Sequence, residues 1–205
     1  MEIDSGGDVS TKPEMPPLEL GPRFDDALRL ASELHRTQAR KGTSLPYISH
    51  LLGVTSLVLE DGGSEDEAIA ALLHDAVEDQ GGRETLLRIQ DRFGPDVARI
   101  VEACSDADVV PKPPWRERKE AYIAHLATAP PEVIRVSLAD KLHNARAIVR
   151  DLRVHGPSLW ERFHPDADQV WYYDALSRAF RGAGCMSPML DELDDAVAEM
   201  KRLSG

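Results

Sequence analysis

Ser64-Glu65-Asp66-Glu67-Ala68-Ile69-Ala70-Ala71-Leu72-Leu73-His74-Asp75-Ala76-Val77-Glu78-Asp79 opens on a helix-start signature and closes on four ionisable groups. Ser64 followed three residues later by Glu67 is a capping-box pattern, in which each side chain satisfies a backbone N–H of the first turn. Ala68 to Leu73 is a continuous apolar run too long to be a surface turn, and Gly81-Gly82 punctuates the far end. The spacing predicts one helix from Ser64 towards Asp79, with its middle buried.

The same periodicity extends to both sides. Phe24, Leu28, Ala31 and Leu34 recur at three- and four-residue steps and form one apolar face. A segment from His50 to Glu60 stops at Asp61-Gly62-Gly63. Helices are expected near Arg83–Arg92, Pro95–Cys104, Trp115–Thr128, Pro131–Leu152, Asp166–Arg181 and Ser187–Leu203, with loops at Pro111, Pro113 and Pro114 and at Gly156-Pro157. Val133, Ile134 and Val136 are too short a run for a strand and continue into helical spacing. The expectation is an all-α chain, with an irregular N-terminal arm over residues 1–22 and a single helical-bundle domain over 23–205.

Composition narrows the function classes. A net charge of −12 disfavours general nucleic-acid binding, because phosphate backbones attract basic surfaces. It leaves open a small anionic substrate, which a few local Arg or Lys residues and a cation can hold. No stretch approaches the roughly 18–20 apolar residues of a membrane span. The start, Met1-Glu2-Ile3-Asp4, lacks the basic and apolar regions of a secretory signal. Cys104 and Cys185 have no metal-type spacing and suit reduced thiols, so a cytoplasmic location is expected.

On an unbroken helix His74 and Glu78 share a face, as do Asp75 and Asp79, with Cβ atoms roughly 5–6 Å apart. Burying such a cluster without a counter-charge is expensive. A divalent cation resolves the conflict, since imidazole nitrogen and carboxylate oxygen are both suitable ligands. Solvent-facing acids are the competing account for Glu78 and Asp79. His50, which follows Pro46-Tyr47-Ile48-Ser49, and Asp140, which ends the run Val136-Ser137-Leu138-Ala139, supply the missing ligands. Alone, His50 reads as a hydrogen-bonded structural residue and Asp140 as a partner of Lys141 or Arg146. Taken together with His74-Asp75 they form a two-His, two-Asp set of octahedral type, with positions left for water.

The order Arg40-Lys41, Pro46-Tyr47-x-x-His50, His74-Asp75-x-x-Glu78-Asp79 and Leu138-Ala139-Asp140-Lys141-Leu142-His143-Asn144 resembles the HD hydrolase domain of RelA/SpoT-type enzymes and of stand-alone small alarmone hydrolases. The resemblance covers about residues 24–182 and includes the Phe93-Gly94-Pro95 turn. It implies an HD-type helical bundle with one Mn²⁺, for which His50, His74, Asp75 and Asp140 fall on ligand positions. It implies that Glu78 and Asp79 are the acidic pair that positions water or moves its proton, that Arg40 and Lys41 lie beside the nucleotide, and that Asn144 contacts substrate. The implied reaction removes pyrophosphate from the 3′ position of a guanosine tetra- or pentaphosphate, in a protein with hydrolase activity only.

Lys119, in Trp115-Arg116-Glu117-Arg118-Lys119, and Tyr172, in Trp171-Tyr172-Tyr173, are further candidate substrate contacts. A solvated helical face and core packing are their respective alternatives. The resemblance treats His143 as a structural hydrogen-bonding group. His125 is one histidine where two-metal relatives add two, so a single metal is expected. His35, His155 and His164 read as ordinary surface or core residues. Two departures bear on substrate: Ala147 stands where a hydroxyl residue is common, and the Arg40–His50 spacing is one residue longer than in many long enzymes. Other substrates therefore stay open (an adenine-based alarmone, NADPH or a nucleoside monophosphate), as does a non-catalytic nucleotide-binding module, which would predict loss of a ligand or acid. The oligomeric state is left open.

Overall fold

A computed structural model describes residues 18–105 and 113–205. Among them the fold is all-α, as expected, and the sole β feature is an isolated bridge between Ala39 and Pro46. The helices are α1 (Pro22–Leu34), α2 (Ile48–Glu60), α3 (Glu65–Leu73), the short α4 (Ala76–Asp79), α5 (Gly82–Phe93), α6 (Pro95–Cys104), α7 (Trp115–Leu126), α8 (Pro131–His155), α9 (Gln169–Gly182) and α10 (Pro188–Ser204). Residues 1–17 of the expected arm and Pro111 of the expected loop lie outside the described residues. Pro22, assigned to that arm, is the first residue of α1, where proline's missing N–H costs nothing.

The α3 helix is the hub. It packs against α1, α2, α6 and α8, and every residue from Glu67 to Leu73 is buried. Its start carries the full capping box: the Ser64 hydroxyl accepts from the Glu67 N–H at 3.3 Å, and the Glu67 carboxylate accepts from the Ser64 N–H at 2.7 Å. The buried Glu67 charge is offset by Arg135, from α8, which pairs with it and donates to Asp61 at 2.9 Å. The turn into α3 also needs its glycine. A Cβ at Gly63 would lie 2.8 Å from the Val58 carbonyl oxygen.

One helix expected through Asp79 is in fact two. The chain leaves helical geometry at Asp75 (φ −93°, ψ −3°) and α4 restarts at Ala76. The break lets Asp75 point at neighbours from other elements, which straight i,i+4 spacing would not allow. The loop expected at Gly156-Pro157 is a 3₁₀ helix, Gly156–Arg162. Gly156 ends α8 at φ +62°, and Pro157 then pre-sets the backbone for a tight turn. The 25-residue α8 is the second hub, lying against α2, α3, α6, α9 and α10 with Leu138, Ala139, Leu142 and Ala145 fully buried.

Candidate active site

Three elements converge on one point. The first turn of α2 supplies His50, the C-terminal end of α3 supplies His74, the break after it supplies Asp75, and the middle of α8 supplies Asp140. His50 Nε2 lies 3.2 Å from Asp140 Oδ1 and 3.5 Å from Asp75 Oδ2. His74 Nε2 lies 3.1 Å from Asp75 Oδ2 and 3.6 Å from Asp140 Oδ1. Ligand atoms of His50, His74 and Asp140 all fall within 4.8 Å of one another.

The donor chemistry fits a divalent cation. Both Nε2 atoms are buried and make no hydrogen bond among the described residues. The His74 Nδ1–H donates to the Ala71 carbonyl at 2.8 Å, which leaves Nε2 as a lone pair aimed at two carboxylates. Burial alone would raise the Asp75 and Asp140 carboxyls, yet His74 beside Asp75, and Lys141 and His74 beside Asp140, hold both well below the usual carboxylate range. Burial likewise opposes a proton on His74, but the two acids draw one there. The site is built to be electrically balanced by a positive charge.

Glu78 and Asp79, expected on the same helical face as the ligands, instead sit on α4 and are open to solvent. Asp79 is nevertheless held. Gln38 Nε2 donates to its Oδ2 at 2.7 Å, while Gln38 Oε1 accepts from Gln80 Nε2 at 2.5 Å and lies 2.8 Å from His35 Nδ1. Partial loss of water pushes the Asp79 carboxyl up against the Gln38 hydrogen bond, and Asp75 and Glu78 push it further. The Tyr47 hydroxyl donates to Asp75 Oδ2 at 2.6 Å, and its ring stacks on His35 at 5.2 Å. The sequence did not single out Gln38, gave Tyr47 only as part of the Pro46-Tyr47-x-x-His50 motif without a role, and read His35 as an ordinary surface or core residue. Their one signal was closeness to Arg40 and His50 in the chain.

The substrate-side residues connect to the centre. Arg40 donates to Asn144 Oδ1 at 2.6 Å, Asn144 donates to Asp140 Oδ1 at 2.6 Å, and Lys141 donates to Asp140 Oδ2 at 2.6 Å. Two adjoining cavities, of about 270 and 290 Å³, share Lys41, Asn144, Phe163, Gln169 and Tyr173. The first adds Lys119, Lys141 and Tyr172, and the second adds Arg40, Arg150 and Ala147. Tyr172 is both a core residue, 5% exposed, and part of a cavity wall. None of the four converging side chains lines either cavity; the link to the centre is through Lys141 and Asn144, whereas a larger hollow of about 500 Å³, beside Arg99, Tyr122 and His125, shares no residue with either.

A helical bundle that brings a histidine, a His-Asp pair at a helix end and an aspartate from a long helix onto one cation-sized gap defines a class, the HD-type metal proteins. The chain belongs to the HD-domain family, whose model matches residues 27–164. It is 40% identical over 138 residues to the guanosine-3′,5′-bis(diphosphate) 3′-pyrophosphohydrolase MESH1 of Xenopus tropicalis, a match spanning 66% of this chain and 72% of that one. With MESH1 of Homo sapiens the identity is 32% over 170 residues, spanning 82% and 88%. A solved structure of a metazoan ortholog of SpoT that hydrolyzes ppGpp superposes with a TM-score of 0.71 at 28% identity, covering 90% of this chain and 98% of that one. As an HD-domain protein with this cluster, the chain has a divalent-metal centre. No helix among the described residues is long and apolar enough to cross a membrane.

Proposed function

We propose that this chain is a (p)ppGpp 3′-pyrophosphohydrolase that works with one Mn²⁺ held by His50, His74, Asp75 and Asp140. The observation that carries the reading is the pair of buried, unpartnered Nε2 atoms facing two carboxylates beside a cavity walled by Lys41, Lys119 and Lys141. The relatives named as guanosine-3′,5′-bis(diphosphate) 3′-pyrophosphohydrolases support the substrate. Bound there, the ion supplies Lewis acidity to a phosphoryl group and to a water molecule.

The chain's own residues do the rest. Water adds to the phosphorus next to the ribose, the bond from that phosphorus to the 3′-oxygen breaks, and pyrophosphate leaves. Asp79, fixed by Gln38, and Glu78 beside it orient the water and accept its proton, a role worth about 10²–10⁴-fold in rate. Arg40, Lys41 and Lys119 offset phosphate charge as it shifts. Asn144 ties Arg40 to Asp140, so the phosphate-binding side and the ion-binding side share one hydrogen-bonded relay. Tyr172 walls the phosphate cavity. The reaction belongs in the cytoplasm, consistent with the free thiols of Cys104 and Cys185.

Ala147 favours a second reading. It lines the second cavity together with Ile148 and Leu159, so this stretch of wall is apolar and the hydroxyls of the cavity come from Thr43, Tyr47 and Tyr173 instead. An adenine-based alarmone, NADPH or a nucleoside monophosphate is then the substrate of the same centre. Mn²⁺-dependent hydrolysis of ppGpp, ppApp, NADPH and nucleoside monophosphates, compared side by side, separates the two. Pyrophosphate release from ppGpp that disappears in Asp75→Ala supports the first. Silence on ppGpp with turnover of another compound selects the second, and no Mn²⁺-dependent turnover of any of them leaves a binding module.

A further inference from the structure

His50 and His74 meet the centre through the same atom, Nε2, but their other nitrogens are held differently. His74 Nδ1 faces a carbonyl, which only accepts, so its tautomer is fixed by the backbone. His50 Nδ1 faces another imidazole, His143 Nδ1, at 2.8 Å, with ring centroids 4.8 Å apart. An imidazole can donate or accept, so this contact is the one whose direction has to be set. With Nε2 of His50 turned to the ion, Nδ1 must carry the proton and His143 Nδ1 must receive the hydrogen bond.

The His143 ring reaches that position through a gap in α2. Gly53 lies one turn after His50, and a Cβ there would sit 2.4 Å from both Cδ2 and Nε2 of His143. Its backbone is not among the positive-φ glycines, so no left-handed geometry calls for glycine here. A glycine inside a helix costs about 1 kcal/mol relative to alanine. Space for the ring is the physical reason that remains.

We propose that Gly53 and His143 are positioning residues for the ion: the missing side chain on α2 seats the His143 ring, and that ring holds His50 in its Nδ1-protonated tautomer, with Nε2 presented to the centre. The proposal rests on the metal-centre reading given above. Asp140 and His143 lie three apart on α8, so one turn of one helix supplies both a ligand and the brace of another ligand.

The test is Mn²⁺ titration of the chelator-stripped protein by calorimetry, with no substrate present, alongside the melting temperature of each metal-free variant. His143→Leu removes the acceptor and keeps apolar bulk. His143→Asn keeps an acceptor near the Nδ1 position. Gly53→Ala displaces the ring. His143→Leu and Gly53→Ala are expected to weaken Mn²⁺ binding by about 10–100-fold, while His143→Asn keeps most of it and the metal-free melting temperatures stay close to wild type. Gly53→Ala added to His143→Ala should weaken binding no further, since the clash has gone. Wild-type affinity in His143→Leu, equal losses in the Leu and Asn variants, or full additivity of the double variant would overturn the proposal while leaving the centre intact. A wild-type protein that binds no Mn²⁺ would overturn the centre and the proposal together.

Discussion

Asp79 and Glu78 are neighbours on the same short helix, and the Asp79 carboxylate accepts from Gln38, whose own amide is held on its other side. A flipped Gln38 amide would set its NH₂ against the Gln80 NH₂ and its oxygen against the Asp79 carboxylate, losing both bonds at once. The pair yields two expectations. Glu78→Gln should still bind Mn²⁺ but lose about 10²–10⁴-fold in kcat if it shares the proton-transfer role; full activity in this variant would remove Glu78 from the mechanism. Gln38→Ala acts through Asp79. The Gln38 hydrogen bond lowers the Asp79 pKa, so its removal lets that pKa rise. A base works deprotonated, so the acid limb of the kcat–pH profile should move to higher pH, and an unmoved limb would show that Asp79 is not the titrating group. At this scale the sequence was readable where side-chain chemistry is concentrated, at His74-Asp75 and Asp140. It was silent on Gln38 and Gly53 and gave Tyr47 no role, because what these residues do depends on contacts with residues far away in the chain.

Helix α3 shows what an element's own sequence does and does not specify. Its start was legible because a capping box is a local device, written in four consecutive residues. Ser64→Ala removes the hydroxyl that accepts from the Glu67 N–H and donates to its carboxylate, keeps the backbone N–H bond to Glu67, and should cost about 0.5–2 kcal/mol in urea unfolding of the metal-free protein. The burial of its middle was equally legible. Leu72→Ala empties a fully buried position at the hub and should cost about 2–5 kcal/mol by the same measurement, with no change in the ligand set. The break at Asp75 was not legible. An i,i+4 pattern of polar groups looks the same on one continuous helix as on two, and only Tyr47 and the facing histidines, brought by other elements, show why Asp75 turns away.

Across the molecule, the four converging groups come from α2, α3, the break after it and α8, so an ion bound there cross-links the bundle's interior. Binding to the folded state alone adds stability by mass action, about 2.7 kcal/mol at a free ion concentration 100 times Kd. For a chain of this size that corresponds to roughly 5–10 °C in melting temperature. Chelation should lower the midpoint by that order in the wild type and leave Asp75→Ala nearly unmoved; equal shifts in both would place the stabilising ion elsewhere. The family's overall architecture was legible from periodicity and motif order. The second cavity was not, because its walls are drawn from segments as distant as Thr43, Ala147, Leu159 and Tyr173.

Within five consecutive residues α8 carries Asp140, Lys141, His143 and Asn144, which between them bind, brace and relay. An α-helix turns about 100° per residue, so a single insertion or deletion upstream in α8 would rotate all four away together. A length change there is therefore expected to break the ligand, the brace and the relay in one stroke. The opposite bank of the second cavity, with Thr43, Leu45 and Phe163, is drawn from segments outside α8, so substitutions there leave the register of those four unchanged.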